Sequence, residues 1–466
     1  MIDPERSEEQ KGYKGLALAL LQRFSVRVWD DLEVETEDGL YEGILLPRSE
    51  TADDLHVVLK IANGYNIGLR ASSVKEIRVR GRREARYRIP EKEFPVDPEK
   101  PNLVLLGTGG TIASRLDYRS GAVIPAFEPG ELYGAVPELA DYCNLRTRKL
   151  YGVFSENIAP EHWIGTAKAI AEEIEQGVDG ILIGHGTDVM HFTAAALSFM
   201  VQDPPVPIIL VGSQRSSDRP SSDAALNLIH SAKAAAECDI AEVMVCMFGP
   251  TSHSYGLLHQ GTRVRKMHSS HRSTFRTIGE IPLATVSRTE IRPLRHDYRR
   301  RDPDRKPRID TSFEEKVCLL AYYPNMQPDV IDALVEAGYR GIVLAGTGLG
   351  HVNKPLFAAL RRAIQDRGVA VYMTVQTLWG YAQMYVYDTG RDLMSLGVVP
   401  AANMIPETAY VKLGWALGRT DDLEEVRRIM LTPVARETTP REPHNGYLVL
   451  QGGIPEVENL LSRIPR

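Results

Sequence analysis

Long hydrophobic runs, which mark membrane-spanning segments, are missing from this 466-residue chain. No stretch reaches about 18 uninterrupted apolar residues, so we expect no transmembrane helix. The start of the chain, Met1–Glu9, is polar and acidic and has neither the basic start nor the apolar core of a secretory signal peptide. The sequence therefore predicts a protein that does not insert into a membrane.

Cysteine is scarce as well. The chain has four cysteines, which are widely spaced and form no Cys-x-x-Cys pair: Cys143, Cys238, Cys246 and Cys318. This spacing gives neither a disulfide framework nor a cysteine-based zinc motif, and we predict no metal site. Disulfides persist mainly in oxidising compartments, so we expect reduced thiols in a cytoplasmic protein.

An excess of positive charge is also absent. The formal net charge is -6, which argues against a protein that binds nucleic acid through its overall charge. Any contact with nucleic acid would be local or shared with a partner. With 43% hydrophobic and 25% charged residues, the composition is that of an ordinary globular protein, and the length suffices for two or three domains.

The first part of the chain has the short alternating segments of a small all-β domain. Beginning with a predicted strand at Val26–Val28, apolar or alternating runs are separated by turn signals such as Asp38-Gly39 and Asn63-Gly64. The pattern predicts an SH3-like or Sm-like β-barrel over residues 1–85. Such barrels usually serve in docking, but an appendage that only packs on the rest of the chain is an equally open alternative, since fold alone does not define function.

The remainder alternates strand-like and helix-like segments. Short apolar runs such as Leu103–Leu106 and Val243–Phe248 are separated by helix-like segments such as His162–Gln176. Strand followed by helix, repeated, predicts a parallel sheet with helices on both faces. The predicted boundaries are 86–100 for a charged, proline-containing linker, 101–290 and 313–435 for two α/β lobes, 291–312 for an arginine-rich linker between them, and 436–466 for a C-terminal tail.

Two strand ends carry glycine-flanked hydroxyl groups. Leu103–Leu106 leads into Gly107-Thr-Gly-Gly-Thr111, and Gly180–Ile183 leads into Gly184-His-Gly-Thr-Asp188. A Rossmann motif would require glycine in place of Ile112, and the Gly-Lys-Ser/Thr of a Walker loop is absent. The carboxyl ends of parallel strands meet at one edge of a sheet, so we expect the two motifs to converge there. From these residues alone, a purely structural glycine turn stays open for the first motif.

A threonine hydroxyl is a weak nucleophile near neutral pH and needs a positioned base. A buried lysine can be that base when desolvation lowers its pKa and an acid fixes its geometry, and Lys266 is a candidate. Composition alone favours a surface lysine in a basic loop at this position. Asp188 could equally cap a helix. The residues themselves leave these alternatives open.

The two motifs resemble the two threonine signatures of the bacterial-type L-asparaginase/glutaminase family. Further matches follow in family order: Ser155-Glu-Asn157, Val211-Gly-Ser-Gln214, Lys266, Tyr323-Pro-Asn-Met326 and Gly341–Gly350. The resemblance implies a two-lobed asparaginase-like α/β body. It also implies that Lys266 belongs to the site rather than to a basic surface loop.

The resemblance implies roles for particular residues. Thr111 is the nucleophile candidate, and Thr187, Asp188 and Lys266 form a second catalytic group in which Asp188 also meets the substrate ammonium. Ser155 would contact the α-carboxylate or α-amine of the substrate. The other implied substrate-binding residues are Gly110, Glu156 and Gly186, Tyr118 as the match to a flap tyrosine, and Asn325 as a contribution across a homodimer interface.

The added barrel and the layout are similar to one branch of this family, the D subunits of archaeal glutamyl-tRNA(Gln) amidotransferases. The resemblance implies a glutaminase that forms a threonine acyl-enzyme and passes ammonia to a partner, the E-type transamidase subunit, within a heterotetramer. It implies no cofactor in this chain, with ATP and Mg²⁺ used by the E-type partner, which also makes most of the contacts with Glu-tRNA(Gln). The alternatives are a stand-alone L-asparaginase with an accessory barrel and a scaffold protein without turnover.

Overall fold

The computed structural model describes residues 10, 12–48, 52–62, 66–82, 96–109, 114–117, 122–125, 136–215, 222–250, 255–444 and 446–447. No helix in these ranges combines the length and the apolar character that a membrane crossing requires. All cysteines are free thiols, and those at 143, 238 and 246 are buried.

The N-terminal part is a helix followed by an antiparallel sheet. Its elements are α1 (Gly15–Arg23), β1 (Asp30–Thr36), β2 (Leu40–Leu45), β3 (His56–Lys60), β4 (Asn66–Arg70) and β5 (Val74–Arg82). The five strands are ordered β4-β3-β2-β1-β5, and this region has a hydrophobic core of its own. The expected all-β region is confirmed.

The predicted strand at Val26–Val28 is wrong. Both valines are buried, so the alternation correctly reports which side chains face the core. The flanking residues Ser25 and Trp29, however, have φ values of 54° and 77°. Backbone in the left-handed region cannot continue a strand, so these valines lie in a turn that leads into β1.

The first α/β lobe is built on a mixed sheet. Its elements are β6 (Asn102–Gly109), β7 (Ser114–Asp117), β8 (Ala122–Pro125), β9 (Asn144–Val153), α2 (Pro160–Glu175), β10 (Gly180–Gly184), α3 (Met190–Met200), β11 (Val201–Gln202), β12 (Ile208–Val211), α4 (Ala224–Glu237), β13 (Val243–Phe248), β14 (Gly256–Gln260), β15 (Val264–Lys266), β16 (Phe275–Thr277), β17 (Ala284–Val286) and β18 (Ile291–Pro293). The eight-stranded sheet is ordered β18-β17-β14-β13-β12-β10-β6-β9.

The strands from β13 to β9 are parallel, as predicted, whereas β14, β17 and β18 add an antiparallel edge that the sequence pattern did not reveal. Strands as short as β17 and β18 carry too few residues to show a periodicity.

The second α/β lobe is smaller. Its elements, with the short connecting strand before them, are β19 (Arg308–Ile309), β20 (Val317–Ala321), α5 (Asp329–Glu336), β21 (Gly341–Gly346), α6 (Phe357–Arg361), β22 (Ala370–Val375), α7 (Asp388–Leu396), β23 (Val399–Pro400), α8 (Pro406–Leu417) and α9 (Leu423–Leu431). Strands β20 to β23 form a parallel sheet in sequential order. Helix α8 packs on α3 of the first lobe, where the rings of Trp415 and Phe199 stack with centroids 5.7 Å apart. One hydrophobic core therefore runs through both lobes.

The arginine-rich connector is fastened to the first lobe. Arg299 pairs with Asp203 at 2.8 Å, and Arg300 pairs with Asp239 at the same distance. Arg301 donates to the carbonyl oxygen of Ala235 at 2.7 Å. The basic run in this segment is thus explained by ion pairs and carbonyl contacts within the chain.

The segment after α9 returns to the seam between the lobes. The carbonyl oxygen of Ala435 accepts hydrogen bonds from Gln260 Nε2 and Thr262 Oγ1, both at 2.8 Å. Glu437 is fully buried and forms an ion pair with the buried Lys412 of α8. Arg263 Nε of the first lobe donates to the carbonyl oxygen of Arg436 at 3.2 Å. The beginning of the predicted tail, at residues 436 and 437, therefore contacts both lobes, although its sequence is polar.

Candidate active site

Two parallel strand ends meet beside each other, as the sequence predicted. Gly107 of β6 lies opposite Gly184 of β10, and Thr108 Oγ1 donates to the carbonyl oxygen of Gly184 at 2.9 Å. At the end of β6, Gly109 has a φ of +119°, and a Cβ there would lie 2.2 Å from the carbonyl oxygen of Val153. Only glycine fits at this position, which ends β6.

A lysine, a threonine and an aspartate form the centre of the site. Lys266 Nζ lies 2.9 Å from Thr187 Oγ1 and 2.7 Å from Asp188 Oδ1. The lysine side chain is only 9% exposed, whereas that of Asp188 is 67% exposed. Lys266 is therefore not the surface lysine that composition favoured, and it connects a buried hydroxyl to a carboxylate that solvent or a ligand can reach.

The strand that carries Lys266 is held from both sides. Strand β15 pairs with β16, with Lys266 opposite Phe275, and Val264 of β15 is fully buried. The intervening Arg265 forms an ion pair at 2.7 Å with Glu407 in the first turn of α8. The second lobe thus helps to position the strand that places Lys266 beside Thr187.

A glutamine provides the other hydrogen bond of Thr187. The threonine hydroxyl donates to Gln214 Oε1 at 3.2 Å, and Gln214 Nε2 donates to the carbonyl oxygen of His271 at 3.1 Å. The buried carboxylate of Asp223 accepts from the backbone N–H groups of Gln214 and Arg215 at 3.0 and 2.9 Å. A buried acid therefore fixes the loop that presents Gln214 to Thr187.

A buried histidine orders the turn before Thr187. His185 Nδ1 lies 2.6 Å from the carbonyl oxygen of Gly186, and His185 Nε2 lies 2.9 Å from Thr193 Oγ1. Trp163 Nε1 donates to the same hydroxyl at 3.0 Å. Burial lowers the pKa of His185 to about 4, so the ring is neutral near pH 7. Because a carbonyl only accepts, Nδ1 carries the proton and Nε2 accepts from Thr193.

Comparison with known proteins identifies the family. Three family models match: "Asparaginase, N-terminal" over residues 102–299, "Glutaminase/Asparaginase C-terminal domain" over 316–430, and "GatD N-terminal domain" over 26–79. The chain is 48% identical to the D subunit of the glutamyl-tRNA(Gln) amidotransferase from Methanopyrus kandleri, with 91% of this chain and 94% of that protein covered. It is 47% identical to the D subunit from Pyrococcus furiosus, with 95% and 100% covered. The chain belongs to the family of glutamyl-tRNA(Gln) amidotransferase D subunits.

A solved structure supports the fold of this D-type subunit. The thermostable L-asparaginase from Thermococcus kodakarensis matches with a TM-score of 0.64 and 32% identity, and covers 72% of this chain and 99% of its own. The expected asparaginase-like body is confirmed.

The structure gathers several of the predicted site residues of this D-type subunit. Ser155 is buried and packs against Gly186, where an added Cβ would lie 2.7 Å from the serine Cβ. Glu156, next along the chain, is exposed. Asn325 is exposed and left-handed, with a φ of 68° that asparagine tolerates, and the hydrogen bonds described for its side chain and carbonyl come from Gln327. Asn325 is therefore not joined by a described hydrogen bond to the Thr187 group of its own chain.

Three predicted residues of the first signature and the segment after it lie outside the described residues: Gly110, Thr111 and Tyr118. Other contributors were missed. Gln214 lies within a motif that was recognised, but a motif gives no indication of which hydroxyl the amide reaches. Thr193 and Trp163 carry no sequence signal at all, because their link to the site depends on how α2 and α3 pack.

Three buried histidines predict how the stability of this D-type subunit depends on pH. Burial lowers the pKa of His185 and His191 to about 4 and that of His259 to about 3, from 6.5. Between pH 6.5 and 4 the unfolded chain protonates these histidines, whereas the folded chain keeps them neutral. The free energy of unfolding is therefore highest above pH 6.5 and decreases as the pH falls towards 4. At pH 5 each histidine should lower the free energy of unfolding by roughly 2 kcal/mol relative to pH 8.

Urea unfolding at pH 8, 6.5 and 5 measures this loss. Replacing the exposed His296 by glutamine is the matched control for the substitution of a histidine. A free energy of unfolding that is equal at pH 8 and pH 5 would contradict the neutral buried histidines.

Proposed function

We propose that this chain is the glutaminase of a tRNA-dependent amidotransferase. It hydrolyses glutamine to glutamate and ammonia and supplies the ammonia to a partner that converts Glu-tRNA(Gln) to Gln-tRNA(Gln). The observation that carries the proposal is the contact of Lys266 with Thr187 and Asp188 at the converging ends of β6 and β10. Membership of the D-subunit family supports the amidotransferase context.

In the proposed reaction, Thr111 attacks the side-chain amide carbon of glutamine. The carbonyl electrons move to the oxygen, and backbone N–H groups of the glycine-rich turn stabilise the resulting oxyanion. When the oxyanion collapses, the C–N bond breaks and nitrogen leaves as ammonia with the proton from the threonine hydroxyl. Water then attacks the acyl-enzyme to release glutamate and restore Thr111. The proposed role of Thr187 and Lys266 is to relay protons, since a hydroxyl and an amine 2.9 Å apart can exchange one.

The substrate's amino-acid end is assigned to polar groups beside this pair. Asp188 is largely exposed while it holds Lys266, so part of its carboxylate is accessible to the ammonium of a bound amino acid. Ser155 is assigned to the α-carboxylate or α-amine. Gly110, Gly186 and Glu156 complete the proposed set of substrate-binding residues, with Tyr118 as the match to the family's flap tyrosine.

The partner is assigned as the E-type transamidase subunit of the same amidotransferase. In this assignment the transamidase uses ATP and Mg²⁺ and makes most of the contacts with Glu-tRNA(Gln), and the complex works in the cytoplasm. This chain itself uses no cofactor. A second candidate function, that of a stand-alone L-asparaginase, is favoured by the similarity to the Thermococcus kodakarensis L-asparaginase structure.

Ammonia release separates the two functions. The purified chain is assayed with glutamine and with asparagine, first alone and then with the transamidase and Glu-tRNA(Gln). We expect slow hydrolysis of glutamine by the chain alone and a marked rise in the complete assembly. Fast hydrolysis of asparagine that neither the transamidase nor tRNA changes would establish the asparaginase instead. No hydrolysis of either substrate in any assembly would leave a scaffold protein.

A homodimer is part of the proposal. Asn325 and the neighbouring Tyr323 are exposed on the second lobe, and Tyr323 as a whole residue is 50% exposed. We expect these residues to contact the active site of a second copy. Sedimentation equilibrium should give twice the 51.8 kDa chain mass, and Asn325→Ala should raise KM in the dimer. A 51.8 kDa species at assay concentration with full activity would contradict this arrangement.

A further inference from the structure

The loop that follows Lys266 forms an exposed rim beside the site. We call residues 268–272 the rim loop. Residues 268–271 are exposed, and the buried Thr274 closes the base of the loop. Its Oγ1 accepts from the N–H of His268 and donates to the His268 carbonyl oxygen, both at 2.7 Å. Since Lys266 lies two positions before the loop, the position of the rim is tied to the active-site strand β15.

One histidine side chain shapes the rim loop from within. His268 Nδ1 accepts hydrogen bonds from the backbone N–H groups of Ser270 at 3.1 Å and His271 at 3.0 Å. These two bonds hold the two peptide groups that precede the Cα of His271. The carbonyl oxygen of His271 accepts the hydrogen bond from Gln214 Nε2. The ring of His268 therefore helps to hold the residue whose carbonyl oxygen accepts from Gln214.

Gln214 connects this carbonyl to the Thr187 hydroxyl. Its Nε2 is bound to the rim loop at 3.1 Å and its Oε1 accepts from Thr187 at 3.2 Å, so the amide cannot flip without reversing both contacts. A hydroxyl has a single proton. While that proton points at Gln214 Oε1, a lone pair of Thr187 points at Lys266 Nζ, 2.9 Å away. The amide of Gln214 thus fixes the direction in which Thr187 donates and accepts.

We propose that Gln214 is a positioning residue that turns the Thr187 hydroxyl so that a lone pair of its oxygen faces Lys266 Nζ, and that the rim loop, through His268, holds Gln214 in place. This inference builds on the proposed amide hydrolysis. Loss of the orientation leaves the hydroxyl free to rotate, which lowers the rate of the chemical step. Substrate binding changes little, because neither Gln214 nor His268 is assigned to the substrate.

Two pairs of variants test the proposal. Gln214→Leu removes both amide contacts, whereas Gln214→Glu keeps an oxygen acceptor for Thr187. His268→Ala removes the loop acceptor, whereas His268→Asn supplies a side-chain oxygen near the position of Nδ1. Ser269→Ala, on the exposed crest of the same loop, is the matched control. Each variant is compared with wild type in the complete assembly. The substrate is glutamine or asparagine, whichever the wild type hydrolyses, so the comparison holds even if the assigned substrate is wrong.

We expect Gln214→Leu to lower kcat about tenfold with KM within about threefold, which is the scale of one lost hydrogen bond. Gln214→Glu should retain more activity than Gln214→Leu, and His268→Ala should lower kcat about threefold while His268→Asn restores it. Because His268 acts through Gln214, the Gln214→Leu/His268→Ala double variant should be no slower than Gln214→Leu.

Three results would each overturn the proposal. They are additive losses of kcat in the double variant, equal kcat for His268→Ala and His268→Asn, and unchanged kcat in Gln214→Leu. A wild type that hydrolyses neither amide would instead refute the proposed function. Thermal unfolding of each variant, matched to wild type, separates misfolding from misorientation.

Discussion

Replacing Lys266 by methionine should lower kcat for glutamine hydrolysis by about three orders of magnitude, the middle of the range for a lost acid–base group. Methionine keeps the unbranched apolar stem of the side chain and removes the amine that contacts Thr187 at 2.9 Å and Asp188 at 2.7 Å. The proton relay is then broken, and the Asp188 carboxylate loses its counter-charge. Steady-state ammonia release in the complete assembly measures the effect.

Lys306→Met is the matched control, because Lys306 is exposed in the connector between the lobes. It should leave kcat within about twofold of wild type. Groups that act as one unit are not additive, so the Thr187→Val/Lys266→Met double variant should be little slower than Lys266→Met alone. A Lys266→Met variant that keeps a tenth of the wild-type rate would show that the lysine is not needed for proton transfer.

Thr111→Val should abolish turnover, with a loss on the order of 10⁶ in kcat if Thr111 is the nucleophile. The substitution preserves the volume of the side chain and removes the hydroxyl that forms the acyl bond. In wild type, an acid quench during turnover should trap a glutamyl ester, and peptide mass spectrometry should locate it on the peptide that contains Thr111. No ester should form in Thr111→Val.

Thr187→Val provides the comparison for this experiment. It should slow formation of the ester without moving it, since Thr187 is assigned to proton relay. An ester on Thr187 in wild type, or an active and well-folded Thr111→Val variant, would exchange the roles of the two threonines.

The sequence predicted the framework of this site because the framework is local. The continuous apolar runs before Gly107 and Gly184 fit strands buried on both faces, and the two strands pair in parallel within the sheet. The carboxyl ends of neighbouring parallel strands lie at one edge of a sheet, so residues directly after such strands come close together. The approach of the two motifs could therefore be expected before any contact was known.

The assignment of Lys266 had a different basis. Composition favoured a surface lysine, and only the family resemblance linked it to Thr187, which lies 79 positions earlier in the chain. Burial of its side chain depends on the packing of β15 against its neighbours and on the Arg265–Glu407 ion pair between the lobes. Long-range contacts of this kind leave no periodic trace in the sequence.

Polar residues that become buried were the least predictable. Glu437 lies in a segment with the composition of a tail, yet Lys412 and the backbone N–H groups of Val434 and Ala435 satisfy its carboxylate inside the protein. The buried ring of His185 likewise depends on a hydrogen bond with Thr193 of α3, whose hydroxyl also accepts from Trp163 of α2. Such groups are stable only when every partner is in place, so no single stretch of sequence reveals them.

The transfer of labelled nitrogen tests the central claim most directly. Glutamine labelled with ¹⁵N at the side-chain amide is supplied to the chain together with the transamidase, ATP, Mg²⁺ and Glu-tRNA(Gln). The amino acid is then released from the tRNA and analysed by mass spectrometry. We predict labelled Gln-tRNA(Gln) with wild type and none with Lys266→Met. Unlabelled ammonium chloride should restore amidation with the variant, because the variant loses only the supply of ammonia. Labelled product at the wild-type rate with Lys266→Met, or unlabelled product with wild type, would contradict the assignment of this chain as the source of ammonia.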